Sequence, residues 1–324
     1  MKTRYILFFL FLLKAGFSFA QELYPNTEAA SSIPKGIPGI KLGIETYQEL
    51  QILRHQYYIR LLYGVTSRLS VYVETSASNH HNDILPTNLV NHFHIGTSTI
   101  YFANNKNFGI DYPYRWGGVY FYSKYRFVSI DREKSHFRMA LYANASTTIA
   151  AHDEAEPSLD GDNKGYGGGL IATQLMHRLA ITFTGGYIHP LPYHEIRYDY
   201  IFSNPIFKTD LTYGDAYIYD LAFGYLLYPK EYTGYGQQNY NIYLELLGKS
   251  FGGAKIVKDD YPVEAETATL KKDHYIDACV GIQTIFNSNT RLDLTASFNI
   301  INKSWSHFYP LFRIGIQHYF FHGK

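Results

Sequence analysis

Apolar and polar residues alternate one by one along much of this chain. In the clearest run, residues 292–300, every even-numbered residue is apolar and every odd-numbered residue is polar. Similar runs begin at Leu69, Phe137, Leu179 and Tyr240. A period of two places successive side chains on opposite faces of a strand, so these runs predict β-strands with one apolar and one polar face.

The connections between the predicted strands fall into two classes. Short ones lie near residues 65–68, 131–135, 176–177 and 286–290, and long ones rich in Asn, Asp, His, Gly and Pro span residues 79–115, 150–165, 190–213 and 251–271. We predict strands at 40–47, 54–65, 68–78, 116–128, 136–147, 166–176, 178–189, 215–227, 239–248, 273–286, 291–301 and 310–321. Residues 92–103 alternate weakly and are assigned to the first long loop, because a further strand would break the even count. The pattern predicts an all-β fold: a transmembrane antiparallel β-barrel of about 12 strands (range 10–14) with short periplasmic turns and long extracellular loops.

Three of the predicted strands begin with a similar tetrapeptide: Thr66-Ser67-Arg68-Leu69, Met176-His177-Arg178-Leu179 and Asn289-Thr290-Arg291-Leu292. Each follows an apolar strand and precedes an alternating one. We interpret them as tight hairpin turns on one rim of the sheet, where Arg suits a membrane interface. The alternative is chance repetition of an Arg-Leu dipeptide.

The amino terminus has the features of an export signal. Residues 1–20 carry the basic Lys2 and Arg4, an apolar run from Ile6 to Leu13, and small residues at Ser18 and Ala20. This pattern predicts a signal peptide cleaved after Ala20, and the alternative is an uncleaved membrane anchor. Residues 21–38, with three prolines, are expected to form an extended periplasmic lead-in, and residues 39–324 a single barrel domain. The predicted location is the outer membrane of a Gram-negative bacterium.

Composition supports a membrane-facing exterior. The chain has 32 Tyr, 22 Phe and 2 Trp, or 17% aromatic residues, against 18% charged residues. Its formal net charge of +1 gives no reason to expect a nucleic-acid partner. A disulfide framework is excluded because Cys279 is the only cysteine.

The polar faces of the predicted strands carry charges of both signs. We expect these residues to line the lumen, together with Lys41 and Glu45: Arg60, Glu74, Lys124, Arg126, Arg138, Asp220, Glu245, Asp277, Asp293 and Arg313. One interpretation is a polar path along which a solute passes, with Lys124, Arg126 and Arg138 facing Asp277 and Asp293 across the barrel. The alternative is a closed interior whose charges only brace the barrel.

Other candidate chemistry is weaker. The densest group of possible metal ligands consists of His80, His81, His92 and His94. We interpret them as ordinary polar residues of a loop, because no fixed ligand spacing supports a metal site. The acidic run at 153–162 reads as a solvated loop. Without a Gly-x-Ser-x-Gly motif or a clear nucleophile–base pair, the sequence predicts neither an enzyme nor a cofactor.

Three stretches carry a family resemblance: residues 63–69 (YGVTSRL), 123–127 (SKYRF) and 174–179 (QLMHRL), the last leading to Gly186-Tyr187. Together they resemble outer-membrane transporter barrels of the meta-pathway-of-phenol-degradation type, which are distantly similar to fatty-acid transporters. The resemblance implies a channel for small hydrophobic or aromatic solutes. Ser67 stands where the family usually has an acidic residue. The Phe-Ala-Gln junction and the Tyr/Asn-rich composition also resemble exported proteins of Bacteroidetes-type bacteria.

The predicted closing strand alternates outward Phe312, Ile314, Ile316 and Phe320 with inward residues. Its terminal aromatic residue, with a Gly nearby, resembles the signal read by barrel-insertion machinery, which we expect as a partner alongside outer-membrane lipid and an unknown small solute. The leading functional hypothesis is a passive outer-membrane transporter. A non-transporting structural or surface-binding barrel is second, and a lipid-modifying enzyme is third.

Overall fold

The structure, a computed structural model, describes residues 24–49, 52–79, 114–147, 165–197, 207–230, 236–263, 271–302 and 309–321. Twelve strands close into one antiparallel barrel: β1 (Pro38–Glu49), β2 (Ile52–Gly64), β3 (Leu69–Ser78), β4 (Arg115–Asp131), β5 (Ser135–Ser146), β6 (Gly165–Met176), β7 (Leu179–Pro190), β10 (Ala216–Tyr228), β11 (Asn239–Phe251), β14 (Asp273–Phe286), β15 (Thr290–Ile301) and β16 (Leu311–Tyr319). Each pairs with the next barrel strand in this order, so that β7 pairs with β10 and β11 with β14, and β1 pairs with β16 to close the ring. The predicted fold class and twelve-strand count are confirmed.

The two faces of the barrel wall differ as the alternation predicts. On β3, Val73 is 41% exposed while its neighbour Glu74 is fully buried, and on β7, Phe183 is 50% exposed while Thr182 is 1% exposed. Apolar side chains therefore cover the outside and polar ones face the lumen. Among the described residues, no helix has the length and hydropathy needed to cross a bilayer.

The three repeated tetrapeptides lie at the same end of the barrel, which we call the short-turn rim. They connect β2 to β3, β6 to β7 and β14 to β15. At the last of these turns, Asn287 and Ser288 both have positive φ (49° and 55°), and the Asn289 N–H donates to Phe286 O at 3.1 Å. Positive φ at both central residues is typical of a type I′ turn, here within a three-residue loop because Phe286 pairs with Thr290. At the β6–β7 turn Met176 pairs with Leu179, which leaves a two-residue loop, so these two turns are tight as predicted.

The opposite end, the long-connection rim, holds a second sheet that the sequence analysis missed. Two of the predicted loops contain the short strands β8 (Tyr193–Arg197), β9 (Phe207–Thr212), β12 (Lys255–Lys258) and β13 (Tyr261–Val263). These form a four-stranded sheet in the order β13-β12-β9-β8, in which the paired Leu211 and Ile256 are both buried. Strands of three to six residues are too short for alternation to identify them. The expected loop assignment of residues 92–103 lies outside the described residues.

Candidate functional site: the lumen and its plug segment

The described residues before β1 lie inside the barrel. This plug segment, residues 24–37, has buried side chains at Tyr24, Ala29, Ala30 and Ile33. Two apolar clusters of the lumen each include plug residues, one containing Tyr24 and Ala29 and the other Ala30 and Ile33. The structure therefore differs from the expected periplasmic lead-in, because the described part of that segment packs in the lumen.

The plug segment enters and leaves at the short-turn rim. Tyr24 accepts a hydrogen bond from Thr182 Oγ1 at 3.1 Å and packs edge-on against Tyr243, with ring centroids 5.7 Å apart. The segment returns to the rim at Ile33, whose N–H donates to Ser70 Oγ at 2.8 Å. Next to it, a Cβ on Gly64 would lie 2.0 Å from Pro34 O, so only glycine allows this approach. The segment is thus a loop inserted into the lumen from one end.

Glu28 lies where the plug segment meets β2 and β4. Its carboxylate accepts from Arg60 Nη1 at 3.1 Å and from Lys124 Nζ at 2.9 Å, and Lys124 also donates to Ala29 O at 2.6 Å. Burial alone would raise the pKa of Glu28, but the charges of Lys124 and Arg60 outweigh burial and hold this pKa below its ordinary value. Glu28 therefore stays ionised in its site.

Glu245 holds the plug segment from the opposite wall. Its two carboxylate oxygens accept from the backbone N–H groups of Asn26, at 3.2 Å, and Thr27, at 3.0 Å. The Asn26 amide also donates to Cys279 Sγ at 2.9 Å and accepts from Arg313. These contacts link the plug to β11, β14 and β16.

In all, hydrogen bonds join the plug segment to ten of the barrel strands. The wall partners are Lys41, Arg60, Ser70, Lys124, Arg138, Thr173, Thr182, Glu245, Cys279 and Arg313. Because these partners lie on opposite walls, the segment crosses the lumen.

Most of the predicted lumen residues are buried inside the barrel, and they form local pairs. Arg60 Nε donates to Glu74 at 2.6 Å, and Arg313 Nε donates to Glu45 at 3.0 Å. The half-buried Asp220 accepts from the Gly248 N–H at 3.3 Å. Each of these charges has a partner on its own or an adjacent strand.

The strands β4 and β5, which carry the basic residues, lie across the ring from β14 and β15, which carry Asp277 and Asp293, but the hydrogen bonds and ion pairs described for these charges are local rather than across the lumen. Asp293 accepts from Gln283 at 2.7 Å and lies 3.2 Å from Arg291, and Asp277 accepts from Asn299 at 3.2 Å. On the other wall, Lys124 binds Glu28, and Arg138 donates to Ser31 Oγ at 2.9 Å and to Asp131 at 3.0 Å. Arg126 lies at the short-turn rim, half-buried, and donates to Ser67 O at 2.9 Å.

A tyrosine stack fills part of the lumen beside the plug segment. Tyr72 and Tyr142 lie on either side of Tyr122, with ring centroids 4.6 and 5.4 Å from it, and the Arg60 guanidinium lies 4.0 Å from the Tyr72 ring centroid. A Cβ on Gly186 would lie 1.9 Å from the Tyr142 hydroxyl, so the glycine makes room for that ring. Sequence reasoning missed the stack, although the tyrosines occupy inward positions of adjacent strands.

A metal site finds no support among the described residues, which contain no group of three or more His, Cys, Asp or Glu side chains placed to hold an ion. The weak candidates His80, His81, His92 and His94, like the acidic run at 153–162, lie outside the described residues.

No protein-family model matches this chain, and no curated protein matches it either. It is similar in structure to the COG4313 outer membrane channel from Pseudomonas putida F1, at 12% identity and a TM-score of 0.48, covering 92% of this chain and 99% of the other. Two further similar structures are the CymD monoaromatic hydrocarbon channel (11% identity, TM-score 0.34, 89% and 87% covered) and the Pseudomonas putida toluene transporter TodX (9% identity, TM-score 0.31, 93% and 97% covered).

Proposed function

We propose that this chain is an outer-membrane barrel that lets small solutes pass through its lumen, and that the plug segment closes this passage at rest. The observation that carries the proposal is the plug segment held across a polar lumen by hydrogen bonds to opposite walls. A polar interior is typical of barrels that conduct solutes, whereas the apolar exterior fits lipid. The amino-terminal signal predicted by the sequence agrees with export to this membrane.

Two features of the lumen bear on the solute. Its charged and hydroxyl groups suit polar or ionised molecules, while the stack of Tyr72, Tyr122 and Tyr142 offers aromatic surface. The family resemblance, which implies hydrophobic or aromatic solutes, agrees with the second feature. We therefore propose small aromatic acids, such as benzoate, as the first solutes to test, with a pentose as the polar comparison.

A second candidate is the non-transporting barrel. It is favoured by the pairing of the lumen charges, since a network in which Arg60, Glu74 and Glu28 satisfy one another can brace a closed wall. Under this hypothesis the plug segment never leaves, and the connections at the long-connection rim carry any interaction.

A reversible disulfide bond that fixes the plug segment to the barrel wall distinguishes the transport proposal from the non-transporting barrel. Cys279 is the chain's only cysteine and touches Asn26, so the substitution Asn26→Cys places a second thiol beside it. The transport proposal requires the plug segment to leave the lumen part of the time. In liposome-swelling and planar-bilayer assays it therefore expects the reduced variant to pass solute intermittently, the oxidised variant to be silent, and reduction to restore passage. Wild-type and reduced proteins that are as silent as the oxidised one would favour the non-transporting barrel. Deletion of residues 24–34 serves as the open control, with heat-modifiable gel migration reporting assembly.

A further inference from the structure

Three arginine side chains come together at the short-turn rim, beside the carboxyl-terminal part of the plug segment (residues 31–37), which we call the foot of the plug segment. Arg68 follows the β2–β3 turn, Arg126 lies on β4, and Arg138 lies on β5. The Arg126 N–H donates to Arg68 O at 2.8 Å, and the Arg126 guanidinium lies within electrostatic reach of those of both Arg68 and Arg138. Like charges within this reach repel one another, and an anion bound among them would relieve the repulsion.

The described carboxylates neutralise only part of this charge. Asp131 pairs with Arg138 at 3.0 Å and with His136 Nδ1 at 2.8 Å. No ion pair joins Arg68 or Arg126 to a carboxylate among the described residues, and the Arg126 side chain donates to the neutral carbonyl of Ser67. The cluster of three guanidiniums and one carboxylate therefore keeps about two positive charges.

The cluster combines access with partial burial. Arg68 is exposed, Arg126 is half-buried, and Arg138 is 7% exposed and held in place by Ser31 Oγ and Asp131. Guanidiniums in this setting lose part of their hydration, which strengthens hydrogen bonds to an incoming anion. A phosphate group suits the cluster, because its several oxygens can accept from more than one guanidinium at once.

The other repeated turns show that this arrangement is specific to one place. Arg178 follows the β6–β7 turn as Arg68 follows the β2–β3 turn, but it donates to Leu227 O and lies 5.1 Å from the Tyr225 ring centroid. Arg291 of the third turn is buried against Asp293, 3.2 Å away. Of these three turns, only the first brings an arginine beside two further guanidiniums, with Asp131 as the carboxylate paired to one of them.

We propose that Arg68, Arg126 and Arg138 form a binding site for a phosphate group at the short-turn rim. The phosphate comes either from a free inorganic or small organic phosphate or from the headgroup of an anionic phospholipid. Because Arg138 also holds Ser31, an occupant of the site touches the same side chain that anchors the foot of the plug segment. The site does not depend on solute transport.

The test measures phosphate binding to the full-length protein in a phosphate-free maltoside detergent at low salt. Isothermal titration calorimetry with inorganic phosphate reports the free anion, and native mass spectrometry with phosphatidylglycerol against phosphatidylcholine reports the headgroup. The variant R68Q/R126Q removes two of the three charges, R178Q is the matched control from the equivalent turn, and D131N removes the competing carboxylate. Heat-modifiable migration checks that each variant is assembled.

We expect R68Q/R126Q to weaken binding about tenfold or more, R178Q to leave it unchanged, and D131N to tighten it. Phosphate binding that follows this order identifies a free-anion site, and phosphatidylglycerol binding alone in this order identifies a headgroup site. The proposal is overturned if neither ligand binds, if R178Q weakens binding as much as the double variant, or if D131N binds no tighter than wild type.

Discussion

The Glu245 carboxylate accepts hydrogen bonds from the backbone N–H groups of both Asn26 and Thr27, at 3.2 and 3.0 Å. A buried carboxylate on the barrel wall thereby satisfies two successive donors of a segment that has no strand partner at this point. Such a contact fixes the backbone of the plug segment rather than one of its side chains. Glu245 therefore holds the plug segment through its main chain, whereas Lys124 on the opposite wall binds both the Glu28 side chain and the Ala29 carbonyl.

Asn26→Cys should form a disulfide with Cys279 on mild oxidation. The prediction rests on the 2.9 Å contact between Asn26 Nδ2 and Cys279 Sγ, which places the two side chains side by side. Peptide mass spectrometry under non-reducing conditions checks it, and the variant N26C/C279S is the control that has no partner thiol. If both thiols of the single variant instead react freely with a maleimide in the assembled barrel, the plug does not occupy this position.

Glu28→Gln should loosen the plug segment at neutral pH, because it removes the charge that binds Lys124 and Arg60. Protease cleavage within residues 24–37 of the assembled protein measures the loosening, and we expect it to rise several-fold over wild type. Lys35→Gln, which changes an exposed side chain of the same segment, is the matched control.

Acid should release the same contact in the wild type. The pKa of Glu28 in the folded protein lies below its ordinary value, so the contact stabilises the plug above that ordinary value, about 4.3, and is lost as pH falls through the lower folded value. The part of the protection that depends on Glu28 should therefore persist at pH 6 and disappear only in strong acid, and Glu28→Gln should lack this acid step. A transition near neutral pH that is present in the wild type and absent in Glu28→Gln would contradict this assignment.

Gly64→Ala should displace the foot of the plug segment, since the added Cβ would lie 2.0 Å from Pro34 O, a backbone atom that cannot rotate away. Gly185→Ala is the control, because its Cβ would meet only Phe183 at 3.4 Å. Protease access to the segment and the melting temperature should change in the first variant and not in the second. Equal behaviour of both variants would show that the approach of Pro34 to β2 is not required.

Arg at outward positions should impair membrane insertion. We expect Val73→Arg, Phe183→Arg and Leu294→Arg to cost about 2–4 kcal/mol each if they lie near the bilayer midplane. Heat-modifiable migration after refolding into lipid vesicles measures the loss. Thr182→Arg should insert, because position 182 faces the lumen, but it should expel Tyr24, whose hydroxyl now contacts Thr182. Equal tolerance of Arg on both faces would argue against a membrane-spanning barrel.

The sequence by itself determined which segments form the strands of the barrel wall and which of their side chains point inward. A strand between lipid and a polar lumen must alternate apolar and polar side chains. The period of two in runs such as 292–300 therefore locates both the strand and the direction of each side chain. For the same reason the inward placement of Glu74, Lys124 and Glu245 could be predicted before any contact was known. The tight turns followed from the gaps between such runs.

Only the tertiary structure decided what fills the lumen. The plug segment has no repeating pattern, and its partners are distant in sequence: Glu28 and Lys124 are 96 residues apart, and Asn26 and Glu245 are 219 apart. Alternation tells which way a side chain points but not which of the many inward charges it meets. That choice depends on closure of the ring, which brings strands from both ends of the chain around one short segment.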